Sequence, residues 1–400
     1  MARIIVVGGG IGGLAAALSA ERQGHEVVVL ERRRAFEELG AGIQLGPNAF
    51  WALDRLGVGT DVRDKAVFID ELRLMDGVSG KRMAHMPLTG AYRARFGNPY
   101  AVVHRGDLYE PLLRACREAA RVELVAGASV TGYAQDVTGA TVTLADGTAV
   151  TGDALIGADG IRSVIRAQLV GDGEPRVSGH TIYRSVIPME QVPEDLRWNT
   201  VTLWAGPKWH FVHYTIGGGK YLNLAVTRDD GATVAVAGEP VERDRVLAEF
   251  DEVGGTPRRL LELGQGWRTW VLCDRDPVGD WTDGRVALLG DAAHPMLQYA
   301  AQGACMALED AVVLGGFLQG CGTGEIVPRL GRYAAERHDR TAKAQLVARE
   351  MGRRLYHASG REAEERNAMM AAFSETELYE KVDWLHGFAP PVGPIAGAVR

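Results

Sequence analysis

The chain has 400 residues, 46% of them hydrophobic and 24% charged, and a formal net charge of −7. That length and apolar content are enough for at least one large core divided into two or three structural regions, and they exclude a disordered chain. The acidic balance argues against a nucleic-acid partner, so clusters such as Arg32-Arg33-Arg34 read as solvated surface.

In chain order the elements begin with strand, turn, helix, strand. Ile4 to Val7 is a short run of β-branched residues, followed by Gly8-Gly9-Gly10-Ile11-Gly12-Gly13. An Ala/Leu-rich helix is predicted from about Leu14 to Gln23, with Gly24 where a helix C-cap belongs. Val27 to Leu30 is a second fully apolar strand, and the three elements make a βαβ unit suited to a parallel sheet. With a strand starting at Arg3, no signal peptide is expected.

Residues 122–151 change character: short strands punctuated by Val137-Thr138-Gly139 and Ala145-Asp146-Gly147 predict an inserted antiparallel meander. From about 173 to 270 the chain is richer in Trp and Tyr. In Trp209-His210-Phe211-Val212-His213-Tyr214 alternate residues should face opposite sides of a sheet. A further apolar strand, Val286 to Leu289, leads into Gly290-Asp291-Ala292-Ala293-His294-Pro295. Helices are predicted at Ala304 to Leu318 and, amphipathic, at Arg340 to Tyr356. The Pro/Gly-rich tail from Pro390 should fray.

The expected fold is therefore α/β. A Rossmann-like nucleotide-binding domain (1–172 and 270–345) carries the meander, a mainly β substrate domain spans 173–269, and C-terminal helices and tail occupy 346–400. Cys116, Cys273, Cys305 and Cys321 are scattered without a CxxC pair, so neither a metal site nor a disulfide framework is expected. A reducing cytoplasm is the expected compartment. No apolar run approaches the about 18 residues of a membrane span.

In Gly8-x-Gly10-x-x-Gly13 the first glycine permits a tight turn, the second lets a pyrophosphate approach the backbone, and the third allows close helix–strand packing. The phosphates would sit on the positive end of the helix, and Glu31, ending the second strand, can accept bonds from ribose hydroxyls. This fingerprint predicts a dinucleotide site and leaves NAD and FAD both open.

Two later strand ends, Gly157-Ala158-Asp159-Gly160 and Gly290-Asp291-Ala292-Ala293-His294-Pro295, follow the fingerprint in order. In this the chain resembles the class A flavoprotein aromatic hydroxylases. The resemblance implies a non-covalently bound FAD. It places Asp159 and Asp291 at the cofactor, Asp291 on the ribityl chain, with Arg105 nearby. The backbone of Gly303 and Ala304 lies by the flavin ring, where a helix N-terminus would stabilise negative charge. His294 is expected to orient its loop and Cys305 to pack.

Further segments look like one subgroup, the 3-hydroxybenzoate 6-hydroxylases: Gly40 to Asn48, Tyr183-Arg184, Leu297 to Cys305 with its Leu-Gln-Tyr, and Asp383 to Gly387. The resemblance places His210 and Gln298 at the substrate phenol and Tyr214 beside it, as catalytic residues. A neutral histidine near its usual pKa suits a base or proton relay, and a glutamine amide can donate to a phenolate oxygen. The function implied is hydroxylation of 3-hydroxybenzoate to gentisate with dioxygen and transient NADH, the preference over NADPH resting on resemblance alone. Salicylate and hydroxynicotinate remain as alternative substrates, and a halogenase or a non-enzymatic flavin-binding regulator as other classes. The oligomeric state is left open, a homodimer among the options.

Overall fold

The chain is described by a computed structural model covering residues 1–38 and 40–390. The expectation about the tail past Pro390 falls on residues 391–400, outside the described part. Arg3–Val7 and Glu26–Glu31 are strands joined by the helix Ile11–Arg22, and the chain leaves that helix through Gly24 at φ +86°, a left-handed conformation that suits glycine.

These strands lie at the centre of a 6-stranded sheet. Its order is Thr282–Asp283, Val286–Leu288, Ala154–Gly157, Arg3–Val7, Glu26–Glu31, Val122–Ala126, and all pairs but the first are parallel. Helices pack on it through Leu14, Leu18, Leu308, Val312 and Leu314, all buried. Each such side chain contributes roughly 1.5–3 kcal/mol of burial free energy.

Val122–Ala126 belongs to this parallel sheet, so the meander is shorter than the 122–151 stretch suggested. It comprises Val130–Gln135, Ala140–Leu144 and Ala149–Gly152. The strand Val122–Ala126 follows the helix Arg105–Glu118 and pairs parallel with Glu26–Glu31, at the edge of the sheet.

The second sheet has 8 strands. Arg176–Pro188, Tyr221–Ala232, Trp209–Ile216 and Thr200–Gly206 form its middle, with Arg268–Asp274 and Ala237–Pro240 on one side. On the other side come Glu71–Asp76 and Arg82–Pro87, from well before residue 173; Glu71–Asp76 pairs parallel with Thr200–Gly206. One face of this sheet, with Tyr183, Trp204, Trp209, Phe211 and Leu224, is sealed by the helices carrying Val246, Phe250 and Leu260. Helix Ile326–Glu350 continues through a π-helical turn, Met351–Tyr356, into the helices Gly360–Ala372 and Glu375–His386. No helix among the described residues is long and apolar enough to cross a membrane.

Candidate functional site

The glycine turn is built as its spacing demands. Gly8 has φ +107°, and a Cβ there would stand 2.3 Å from the Ala158 carbonyl oxygen. A Cβ on Gly13 would stand 1.9 Å from the Gly8 oxygen, so strand and helix touch only because both residues are bare. Around Gly10 nothing lies within 4 Å of such an atom. This residue has ordinary extended backbone and caps the helix Ile11–Arg22 without a side-chain bond, leaving the first amides free. Open space in front of free helix amides is what an approaching pyrophosphate requires.

Glu31 accepts from the amides of Gly9 (2.7 Å) and Arg33 (2.8 Å), so its carboxylate is fixed at the edge of the turn with lone pairs to spare. Arg105 pairs with Glu38 at 3.1 Å. Asp159 points to its own chain: Ser163 Oγ donates to one oxygen at 2.5 Å, and the Val164 amide to the other at 2.7 Å. It thereby caps the helix Val164–Leu169 and shapes the turn rather than reaching outward; burial pushes its pKa up against those bonds. Asp291 is exposed, with a carboxylate oxygen 3.8 Å from where a Cβ on Gly303 would stand. Gly303 and Ala304 open the helix Gly303–Leu318, whose N-cap Gln302 makes no side-chain cap bond. Ala301 takes a left-handed φ of 52°, a conformation costly for alanine, to turn the preceding loop into that helix.

The loop after Gly290 is held from behind by buried charge. Asp310 accepts from the Gly290 amide (3.0 Å), sits 2.6 Å from His294 Nε2 and accepts from Arg337 Nε (2.7 Å). Burial pushes the Asp310 carboxyl up, but its neighbours His294 and Arg337 outweigh it and hold the pKa at about 2. Glu309 accepts from Asn48 and pairs with Arg337 and Arg340. Arg166, fully buried, donates to the carbonyls of Ala292 and Ala293. His294 is thus an orienting residue. Burial raises the Cys305 thiol to about 12, so it packs rather than reacts.

Strand alternation puts His210, Val212 and Tyr214 on the sheet face opposite the sealed core. His213, on the other face, accepts from Trp204 Nε1 at 3.1 Å. His210 is 2% exposed and its Nδ1 lies 2.7 Å from Nε2 of His357. Burial, with the charges of His357 and His180 adding, drives its pKa well below the ordinary value, so His210 does not sit near 6.5 as the sequence suggests. Burial likewise raises Tyr214 to about 12, which keeps it protonated; it packs against Gly42, where a Cβ would stand 3.0 Å from the phenol oxygen. Gln298 takes a bond from Arg184 Nη2 to its Oε1 at 2.5 Å. Tyr299, which follows Gln298 in the chain, has its ring 5.3 Å from that of His210.

Sequence reasoning gave no role to Arg184, His357, Tyr299 or Tyr356. Arg184 lies in register with Ala225 and, through it, Val212. Its Nε is enclosed without a partner among the described residues, and burial lowers its pKa. A lone arginine in the apolar run Ile182 to Ile187 is a signal that could have marked it. His357 is 147 residues from His210, and no spacing rule connects them.

A family model described as an FAD binding domain matches residues 1–348. The chain is 47% identical to the 3-hydroxybenzoate 6-hydroxylase 1 of Aquipseudomonas alcaligenes, over 96% of this chain and 97% of that protein. It is 45% identical to the 3-hydroxybenzoate 6-hydroxylase of Klebsiella oxytoca, over 96% of each. Among solved structures, Klebsiella pneumoniae HpxO complexed with FAD and uric acid superposes with a TM-score of 0.83, at 26% identity and over 98% of both chains. An open approach to Gly10, two uncapped helix starts and the exposed Asp291 beside Gly303 fit FAD. The chain belongs to the FAD-binding family of the class A flavoprotein aromatic hydroxylases.

Proposed function

We propose that the chain hydroxylates 3-hydroxybenzoate para to its hydroxyl, converting it with NADH, dioxygen and a proton into 2,5-dihydroxybenzoate (gentisate), NAD⁺ and water. The observation that carries this reading is Arg184. A guanidinium without an acidic partner among the described residues, bonded to Gln298 on the face that bears His210 and Tyr214, is suited to an aromatic acid that also carries a phenol.

FAD would be held by the backbone at Gly8, Gly10, Gly13, Gly303 and Ala304 and by Glu31 and Asp291, with Arg105 at the rim and Asp159 shaping the turn. When bound it supplies hydride acceptance and dioxygen activation. The chain's own groups do the rest. His210, kept neutral by burial, takes the phenol proton, because an ionised ring oxygen pushes electron density to the para carbon. Arg184 occupies Gln298 Oε1, which leaves the Gln298 amide protons to donate to the developing phenolate. Tyr214, protonated, borders the ring without competing as a base. The loop Leu297 to Ala301 and the 8-stranded sheet exclude water.

In this reading residues 1–172 and 270–345 serve the cofactor and 173–269 the substrate, with Glu71–Asp76 and Arg82–Pro87 widening the substrate sheet. The helical segment from 346 brings His357 to it. Four free thiols support a reducing compartment, the cytoplasm. Purified protein tested with the hydroxybenzoate isomers should oxidise NADH fastest with the 3-isomer; equal rates with every isomer would contradict the substrate assignment.

A further inference from the structure

We propose that His357 and Asp229 extend the acid–base path that begins at His210, carrying the phenol proton from the enclosed site to the protein surface. This rests on the reading of His210 given above.

His210 Nδ1 and His357 Nε2 are 2.7 Å apart, a direct hydrogen bond between two rings 2% and 6% exposed. His357 Nδ1 is enclosed and has no partner among the described residues. A ring nitrogen of His357, a ring nitrogen of His180 and a carboxylate oxygen of Asp229 lie within 4.8 Å of one another, a separation that a single water spans. His180 and Asp229 face each other in register across two strands, and both are only half-buried, so the path ends where solvent begins. The position of His357 is fixed by its backbone: its amide donates to Gly352 and its carbonyl accepts from Lys208.

The surroundings make onward transfer necessary. Burial, reinforced by His357 and His180, disfavours a charged His210, so a proton taken there cannot rest. Tyr299, 2.6 Å from His180 Nδ1, and Tyr356, stacked 5.0 Å from His210, are both raised by burial and stay protonated. Burial lowers His180, with Asp229, Asp230 and Asp274 only partly opposing it, so a proton passes through that ring to the carboxylate and water rather than resting on it. The transfer balances: the phenol proton goes to His210 Nε2 while the His210 Nδ1 proton passes to His357 Nε2. The His357 Nδ1 proton then leaves by way of His180 and Asp229 to water. Both rings remain neutral in exchanged tautomers, and the negative charge stays on the substrate oxygen.

The test mixes FAD-loaded enzyme with 3-hydroxybenzoate and follows proton release with a pH indicator, in wild type, His357→Ala, Asp229→Asn and His210→Ala. Expected is release slowed about tenfold or more in His357→Ala and Asp229→Asn with flavin content intact, as for loss of a positioned acid–base group. Added imidazole should restore His357→Ala, which a merely structural defect would not allow. Asp229 is half-buried, so its variant remains informative if His357→Ala fails to fold. Wild-type release in both, with slow release in His210→Ala, overturns the relay and leaves the His210 reading standing. Unchanged release in His210→Ala overturns that reading itself.

Discussion

Arg184 Nη2 donates to Gln298 Oε1 at 2.5 Å, and this bond decides which way the glutamine amide faces. The arginine that would meet the substrate carboxylate therefore also sets the donor that would meet its phenol oxygen. In the proposed reading two linked residues would hold the two ends of one small ring. Arg184→Gln should raise KM for 3-hydroxybenzoate by roughly 30-fold, the counterpart of about 2 kcal/mol for losing a charged partner in an enclosed site. With 3-hydroxybenzyl alcohol, which keeps the phenol and lacks the carboxylate, the rise in KM should be much smaller, and what loss remains should come from the freed Gln298 amide. An equal loss on both compounds would remove Arg184 as the carboxylate anchor.

Gly10→Val should fold and come out colourless. Gly10 has φ −77° and ψ −176°, backbone that valine adopts freely, and no protein atom crowds the added Cβ. What the added side chain should obstruct is a ligand on the helix amides. Far-UV circular dichroism and the visible spectrum together check this; a fully yellow variant would place the pyrophosphate elsewhere.

His210→Ala and Gln298→Ala should each slow hydroxylation by roughly 10²–10⁴-fold, the range for positioned acid–base groups. Flavin content should be unchanged, since neither touches the glycine turn or Asp291. Single-turnover product formation and absorbance at the flavin band separate the two effects.

Stability should fall on acidification well before the carboxylates titrate. His210 lies well below 6.5, and His213, His357 and His386 lie at about 3, all chiefly through burial. A histidine whose folded pKa is depressed binds its proton more readily unfolded. Stability is therefore full above the unfolded pKa and is lost as pH falls from there toward the folded pKa. Each such group contributes up to about 1.4 kcal/mol per pH unit in that window. Melting temperature measured from pH 7 to pH 4 should drop steeply; a flat profile would mean that these rings are already protonated or solvated.

Much of the cofactor half was legible in the sequence because its chemistry is local. The tight packing at Gly8 and Gly13 and the open face of Gly10 follow from spacing within one turn, and the helix after Gly303 was marked by its apolar content. The alternation from Trp209 to Tyr214 separated His210 from His213 for the same reason. What stayed hidden is tertiary. Val122–Ala126 reads like the meander strands beside it, and only its long-range pairing with Glu26–Glu31 sets it in the parallel sheet. Asp159, inside a recognisable motif, spends its oxygens on a helix cap. The depressed pKa of His210 depends on burial and on His357, which arrives from 147 residues away, just past the π-helical turn Met351–Tyr356.

Product analysis from 3-hydroxybenzoate, NADH and ¹⁸O-labelled dioxygen tests the account most directly. The para carbon faces the oxygen donor only if His210 and Gln298 hold the phenol while Arg184 holds the acid, and near-attack geometry needs the reacting atoms about 3–3.5 Å apart. The expected sole major product is 2,5-dihydroxybenzoate, with one labelled oxygen and one NADH consumed for each molecule formed. Catechol from salicylate with no turnover of the 3-isomer, or 2,3- or 3,4-dihydroxybenzoate from the 3-isomer, would contradict it.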